Sequence, residues 1–222
     1  MLPKTKFRFL FCAFFAVAIP AASLAQSVAD GNSGLRNAVI LIIRHAEEPV
    51  DGPGLSPSGI AHARAYVDYF RNFRIDGQLL KLDYIFAAED SINSQRPRLT
   101  VEPTSQALGL AVDTRFKNRR FLELVREIQS LPGGKNILIS WHHGTIPDLL
   151  RALGADPATL FPKGRWPNHV FDWLVELRYD ENGRLFQSRL VNENLSFDEW
   201  RILPWLPLCK VATKNQNVVL IR

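Results

Sequence analysis

Residues 38 to 43 read Ala-Val-Ile-Leu-Ile-Ile, an unbroken apolar run dominated by β-branched side chains. No alternate position is left polar to meet water, so this is the pattern of a strand covered on both faces. Residues 82 to 87 read as a second strand, and residues 136 to 140 (Asn-Ile-Leu-Ile-Ser) as another buried strand. Segments with helical spacing fall between these runs. Ser56 as cap and Pro57 at the first helical position start a helix whose apolar face holds Ile60, Ala63, Val67 and Phe70. Residues 99 to 110 predict a second helix. A third is predicted over residues 121 to 131, with Leu122, Val125 and Ile128 or Gln129 at helical spacing, stopped by Pro132-Gly133-Gly134. Residues 146 to 153 predict a fourth, with Pro147 in its first turn. Buried strands alternating with helices specify an α/β fold, a mostly parallel central sheet with helices on both faces. Residues 170 to 177 and 184 to 191, joined across Asp180-Glu181-Asn182-Gly183, predict a late antiparallel hairpin. The chain shows no internal repeat and no low-complexity segment.

The N-terminus has a different character. Lys4, Lys6 and Arg8 precede an apolar run from Phe9 to Ile19, which gives way to small residues ending in Ser23-Leu24-Ala25. This is the layout of a secretory signal peptide over residues 1 to 25, and the run is short for a membrane span, which needs about 20 apolar residues. Residues 26 to 36, rich in Ser, Gly, Asp and Asn, read as a flexible lead-in, and residues 37 to 222 as a single domain. The expected location is periplasmic or secreted, with no stable membrane insertion once the leader is cleaved.

Removing the leader takes three of the 27 Lys and Arg and none of the 22 Asp and Glu, which leaves a mature charge of +2. So weak a field, with no basic face or interleaved aromatics, gives no case for nucleic acid. Cys12 leaves with the leader, and Cys209 alone cannot form an internal disulfide.

In open α/β sheets, ligands gather at the carboxyl ends of the strands. Here the strand at 38 to 43 runs into Arg44-His45, and the strand at 136 to 140 runs into Trp141-His142-His143-Gly144. The loop after the strand at 82 to 87 leads to Arg96. Fold logic therefore brings two guanidiniums and two or three imidazoles to one edge. Arginine offers a rigid fork of donors for phosphate oxygens, and a neutral imidazole is able to attack phosphorus or carry a proton.

Four ordered segments resemble the histidine phosphatase superfamily, the group that includes phosphoglycerate mutases. Residues 41 to 47 (Leu-Ile-Ile-Arg-His-Ala-Glu) are similar to its Arg-His-Gly/Ala-Glu signature, and Leu55-Ser56-Pro57-Ser58-Gly59 to its helix start. Residues 96 to 103 resemble the segment with the second phosphate-binding arginine, mapped onto Arg96, and residues 137 to 147 the segment with the second catalytic histidine. The resemblance implies a phosphatase acting on a small phosphorylated substrate through phosphohistidine on His45, with Arg44, Arg96 and a second histidine neutralising the phosphoryl oxygens. His143 is expected to be that second histidine, from an ungapped match and the following Gly144, with His142 in a substrate-binding role; another spacing in the family selects His142. No cofactor is implied. No metal is expected either, because no carboxylate or cysteine stands at ligand spacing beside His142-His143.

The departure from the family pattern is the proton donor, for which residues 112 to 135 hold no clear match. Glu47, Glu48, Glu89, Asp90 and Asp113 are the candidates. His62 and His169 read as structural or exposed, while Lys163, Arg165 and His169 form a cationic rim suited to a larger phosphorylated substrate. A phosphomutase, or a non-catalytic phosphate-binding module, are the alternative functions. Residues 200 to 222 carry no functional signal. From the leader, the mature chain is expected to begin at Gln26: intact mass of protein recovered outside the cytoplasm checks this, and a retained Met1 contradicts it.

Overall fold

The computed structural model describes residues 33 to 195. The leader, most of the lead-in, Cys209 and residues 200 to 222 lie outside the described residues. In chain order the elements are β1 (Val39–Arg44), α1 (Pro57–Arg71), β2 (Arg74–Ile75), β3 (Gln78–Leu79), β4 (Tyr84–Ala88), α2 (Arg96–Leu108), β5 (Val112–Phe116), α3 (Phe121–Ser130), β6 (Asn136–Trp141), α4 (Ile146–Ala152), β7 (Trp173–Tyr179) and β8 (Leu185–Asn192).

Six strands form one sheet in the order β5-β4-β6-β1-β7-β8. The first four run parallel, while β7 lies antiparallel to β1 and β8 antiparallel to β7. The expected architecture is the observed one: a mostly parallel sheet, helices on both faces and a late hairpin. The apolar run at the centre explains it. Ile40 and Ile42 point to one face and pack with Leu124, Ile128, Leu149 and Leu150 of α3 and α4. Leu41 and Ile43 point to the other, with Tyr66 and Phe70 of α1 and Val101 of α2. A strand with a helix layer on each side has no face left for polar residues.

Local signals mark the helix starts. Ser56 Oγ accepts the N–H of Gly59 at 3.0 Å and Pro57 opens α1, as its sequence predicts. α2 begins earlier than expected, so Arg96 is its first residue rather than part of a loop. In α3, Leu124 takes the buried position expected of Leu122, which is exposed.

Two features were not foreseen. β5 reads Val-Asp-Thr-Arg-Phe, polar at its three central positions; it is the sheet edge, where charge discourages further strand pairing. The β2–β3 hairpin turns on Asp76-Gly77, both at positive φ, the pair that a tight two-residue turn favours.

The flexible lead-in needs correction at its end. Residues 33 to 35 form a 3-10 turn, with Leu35 buried in the core. A Cβ placed on Gly34 would lie 1.9 Å from the carbonyl oxygen of Ile128, so the turn is docked on α3 by a backbone approach that only glycine allows. Gly34→Ala is therefore expected to lower stability by about 1–3 kcal/mol, as overpacking does; urea denaturation of the two proteins checks it.

Candidate active site

The pairing of β1 with β6 sets the site. Arg44 stands opposite Trp141 in the parallel register, and the His45 N–H bonds the Trp141 carbonyl at 3.0 Å. Side chains alternate faces along a strand. His45 follows Ile43 and His142 follows Ser140, so the two imidazoles leave the sheet together, and their rings stand 5.2 Å apart, edge to face. His143 is one residue further and turns to the opposite side, where it lines a separate cleft with Trp166 and Asn168. The ring beside His45 is thus that of His142. The pleat sets His142, rather than the expected His143, against the His45 ring.

His45 is 2% exposed. Its Nδ1 lies 2.8 Å from the Ala46 carbonyl, and since a carbonyl only accepts, Nδ1 carries the proton and Nε2 keeps its lone pair. The Ala46 N–H donates to Thr100 Oγ1, whose hydroxyl donates to the Arg96 carbonyl, each at 2.8 Å. The loop that carries His45 is thereby tied to the first turn of α2, the turn that carries Arg96. Thr100 was not singled out from the sequence; a threonine four residues after a candidate arginine carries no signal of its own.

Burial, with the nearby His142, Arg44 and Arg96, pushes the His45 pKa down to about 3. Burial and Arg96 push that of His142 down to about 4. His143 is also lowered, by burial and Arg44, against an opposing hydrogen bond to the Asn168 side chain. Both rings of the pair are neutral at pH 7, the form in which a ring nitrogen is nucleophilic.

Arg44 is fully buried. It donates to the backbone oxygens of Asn168 and Val170, at 2.5 and 3.1 Å, and its guanidinium carbon lies 3.6 Å over the Phe171 ring. Burial lowers its pKa to about 10, which still leaves it charged. Arg96 donates to the Gly52 carbonyl at 3.3 Å. Glu48 spans the two arginines, 3.7 Å from Arg44 and 3.4 Å from Arg96. Arg44 Nε and Nη2 and Arg96 Nε are buried with no hydrogen-bond partner among the described residues. Two guanidiniums held around one carboxylate, with donors to spare, form a clamp for an oxyanion.

Three of the other candidate acids, Asp90, Asp113 and Glu47, have their carboxylates committed elsewhere. Asp90 pairs with Arg98 at 2.8 Å and Asp113 with Arg115 at 2.6 Å. Glu89 follows β4, its N–H bonded to the Phe116 carbonyl. Glu47 binds Nδ1 of His62, whose Nε2 meets Glu193 at 3.4 Å, and Tyr66 donates to Glu193 at 2.9 Å. His62 is structural, as one of its two readings had it. Burial alone would lower its pKa, but the hydrogen bonds to Glu193 and Glu47 prevail and raise it to about 9. Burial holds Glu193 above the usual carboxylate range. His169 and Arg165 are exposed. Among the described residues, no three His, Cys, Asp or Glu side chains gather as a metal site.

No protein-family model matches the chain, and no curated protein matches it by sequence. Solved structures do match. The chain is similar to histidine phosphatases and to a phosphoglycerate mutase. A protein histidine phosphatase, SixA, solved with tungstate, is 15% identical over 74% of this chain and 99% of its own, with a TM-score of 0.43. A mycobacterial glucosyl-3-phosphoglycerate phosphatase is 14% identical over 71% and 99%, at 0.44. Phosphoglycerate mutase from Bacillus anthracis str. Sterne is 11% identical over 74% and 94%, at 0.41. Likeness at this level carries no chemistry, which is read from the side chains.

The ion triplet at His62 has a measurable signature. A histidine whose folded pKa is raised to about 9 contributes stability that is complete below its ordinary 6.5 and is lost as pH rises through 9. Wild-type protein is expected to lose denaturant resistance across that window, and His62→Gln to be weaker at pH 6.5 but flatter above it. Urea midpoints between pH 6 and 9.5 test this; parallel curves would exclude the charged triplet.

Proposed function

We propose that this protein is an exported phosphatase that hydrolyses phosphate monoesters through a phosphohistidine on His45. The carrying observation is a buried, neutral imidazole with Nδ1 tied to a carbonyl and Nε2 open, beside a second neutral imidazole and the two-arginine clamp. Export is supported by the charge and apolar pattern of residues 1 to 25.

In this reading the phosphoryl group takes the place of the Glu48 carboxylate between Arg44 and Arg96. The lone pair of His45 Nε2 forms a bond to phosphorus as the P–O ester bond breaks, and the guanidiniums with His142 neutralise charge on the three remaining oxygens. Water then attacks phosphorus, the N–P bond breaks, and inorganic phosphate leaves with His45 restored. The departing alkoxide needs a proton. Glu48, which lies between the two guanidiniums, is the carboxylate next to it.

Turnover of p-nitrophenyl phosphate by the mature protein is expected to vanish in His45→Ala. It should fall on the order of 10² in His142→Ala, the loss of one transition-state charge donor, and less in His143→Ala. Full activity in His45→Ala would end the phosphohistidine reading; a crippled His143→Ala beside a near-normal His142→Ala would restore the opposite assignment. Glu48→Gln should slow alkyl phosphates far more than p-nitrophenyl phosphate, whose leaving group departs without a proton. Equal slowing of both would remove Glu48 as the donor.

A further inference from the structure

Beside His143 lies a cleft of about 450 Å³ walled by His143, Asp148, Arg151, Arg165, Trp166 and Asn168. None of His45, His142, Arg44 or Arg96 lines it, so a phosphoryl group in the clamp leaves it free. The two spaces nevertheless share a boundary. Asn168 lines the cleft while its backbone oxygen receives Arg44, and His143 is the chain neighbour of His142.

The wall is preformed. Trp166 is buried, its indole N–H donates to Val170 at 2.8 Å, and its ring packs on Phe161 and Trp173. The charge is unbalanced. Asp148 is taken up by Arg151 at 2.6 Å, whereas Arg165 pairs with no carboxylate among the described residues. Nδ1 of His143 is buried without a hydrogen-bond partner among them. A polar cleft with one uncommitted guanidinium and one unpartnered ring nitrogen suits an anion, because the guanidinium fork matches a carboxylate or phosphate.

We propose that this cleft receives the leaving-group part of the substrate, and that this part carries a second anionic group, a carboxylate or a phosphate, held by Arg165 and His143. The proposal rests on the phosphatase reading and narrows its substrate class to doubly anionic esters.

Matched esters test it with the mature protein. Phosphoglycolate against 2-hydroxyethyl phosphate exchanges a carboxylate for a hydroxymethyl group, and propane-1,3-diol bisphosphate against 3-hydroxypropyl phosphate adds a phosphate. The doubly anionic member of at least one pair is expected to have a kcat/KM at least tenfold higher, through a lower KM, and the responding pair identifies the anion. Arg165→Ala should bring that ratio to within about twofold. Equal or reversed preference in both pairs, or a preference that survives Arg165→Ala, overturns the proposal while leaving the phosphatase reading intact. Calorimetric binding of the same compounds gives the comparison without turnover. Should every ester resist hydrolysis, the phosphatase reading fails, and the cleft still stands or falls on whether the doubly anionic compounds bind tighter and lose that advantage in Arg165→Ala.

Discussion

The lateral hydrogen bonding of β1 to β6, with Arg44 opposite Trp141, is the constraint on which the rest depends. A slip of one residue in a strand moves every side chain to the other face. Here that slip would separate the two imidazoles and turn His143 toward His45. Ile40, Leu41, Ile42 and Ile43, which have no chemical role, each enter a core on their own side of the sheet and seat the strand. Strand pairing sets the geometry of the site, by deciding which of two adjacent histidines faces His45.

The same side chain is tuned in opposite directions within one small domain. His45 sits in a crowd of cations and imidazoles with a single carbonyl for company and is held near 3, whereas His62, equally buried, lies between two carboxylates and is raised to about 9. Burial lowers both; the neighbours decide the outcome. Charge inside the site is carried by the two guanidiniums and the Glu48 carboxylate between them, and Arg44 tolerates its burial because two backbone oxygens and the face of Phe171 surround it.

Much of this was legible in the residues. The unbroken Ala38 to Ile43 run and its two companions announced a covered parallel sheet, and Arg44, His45, Arg96 and the His142-His143 pair fell at strand ends or at the helix start next to them. The choice between His142 and His143 was not legible from local motif spacing, because it is set by strand register, a relation between segments almost a hundred residues apart. Glu48 stood among five acids, and only the fold showed it between the two arginines with three of the others engaged elsewhere. Phe171 and Thr100 gave no signal, since an apolar ring or a buried hydroxyl is common in any core. The edge strand β5 escaped because its three consecutive polar residues, Asp113 to Arg115, read as a loop.

β7 runs against β1, so it is the beginning of β7, at Trp173, that lies level with Arg44, and the chain arrives at the reactive edge from the segment of residues 164 to 172. The parallel strands deliver their groups as they end; this one delivers a wall before it starts. Reaction machinery and the surface that meets the departing group are consequently encoded in separate stretches of the gene. The two stretches are nevertheless joined at one point, since Asn168 and Val170 hold Arg44 through backbone oxygens, so side chains at those two positions can change the wall while the grip on Arg44 persists.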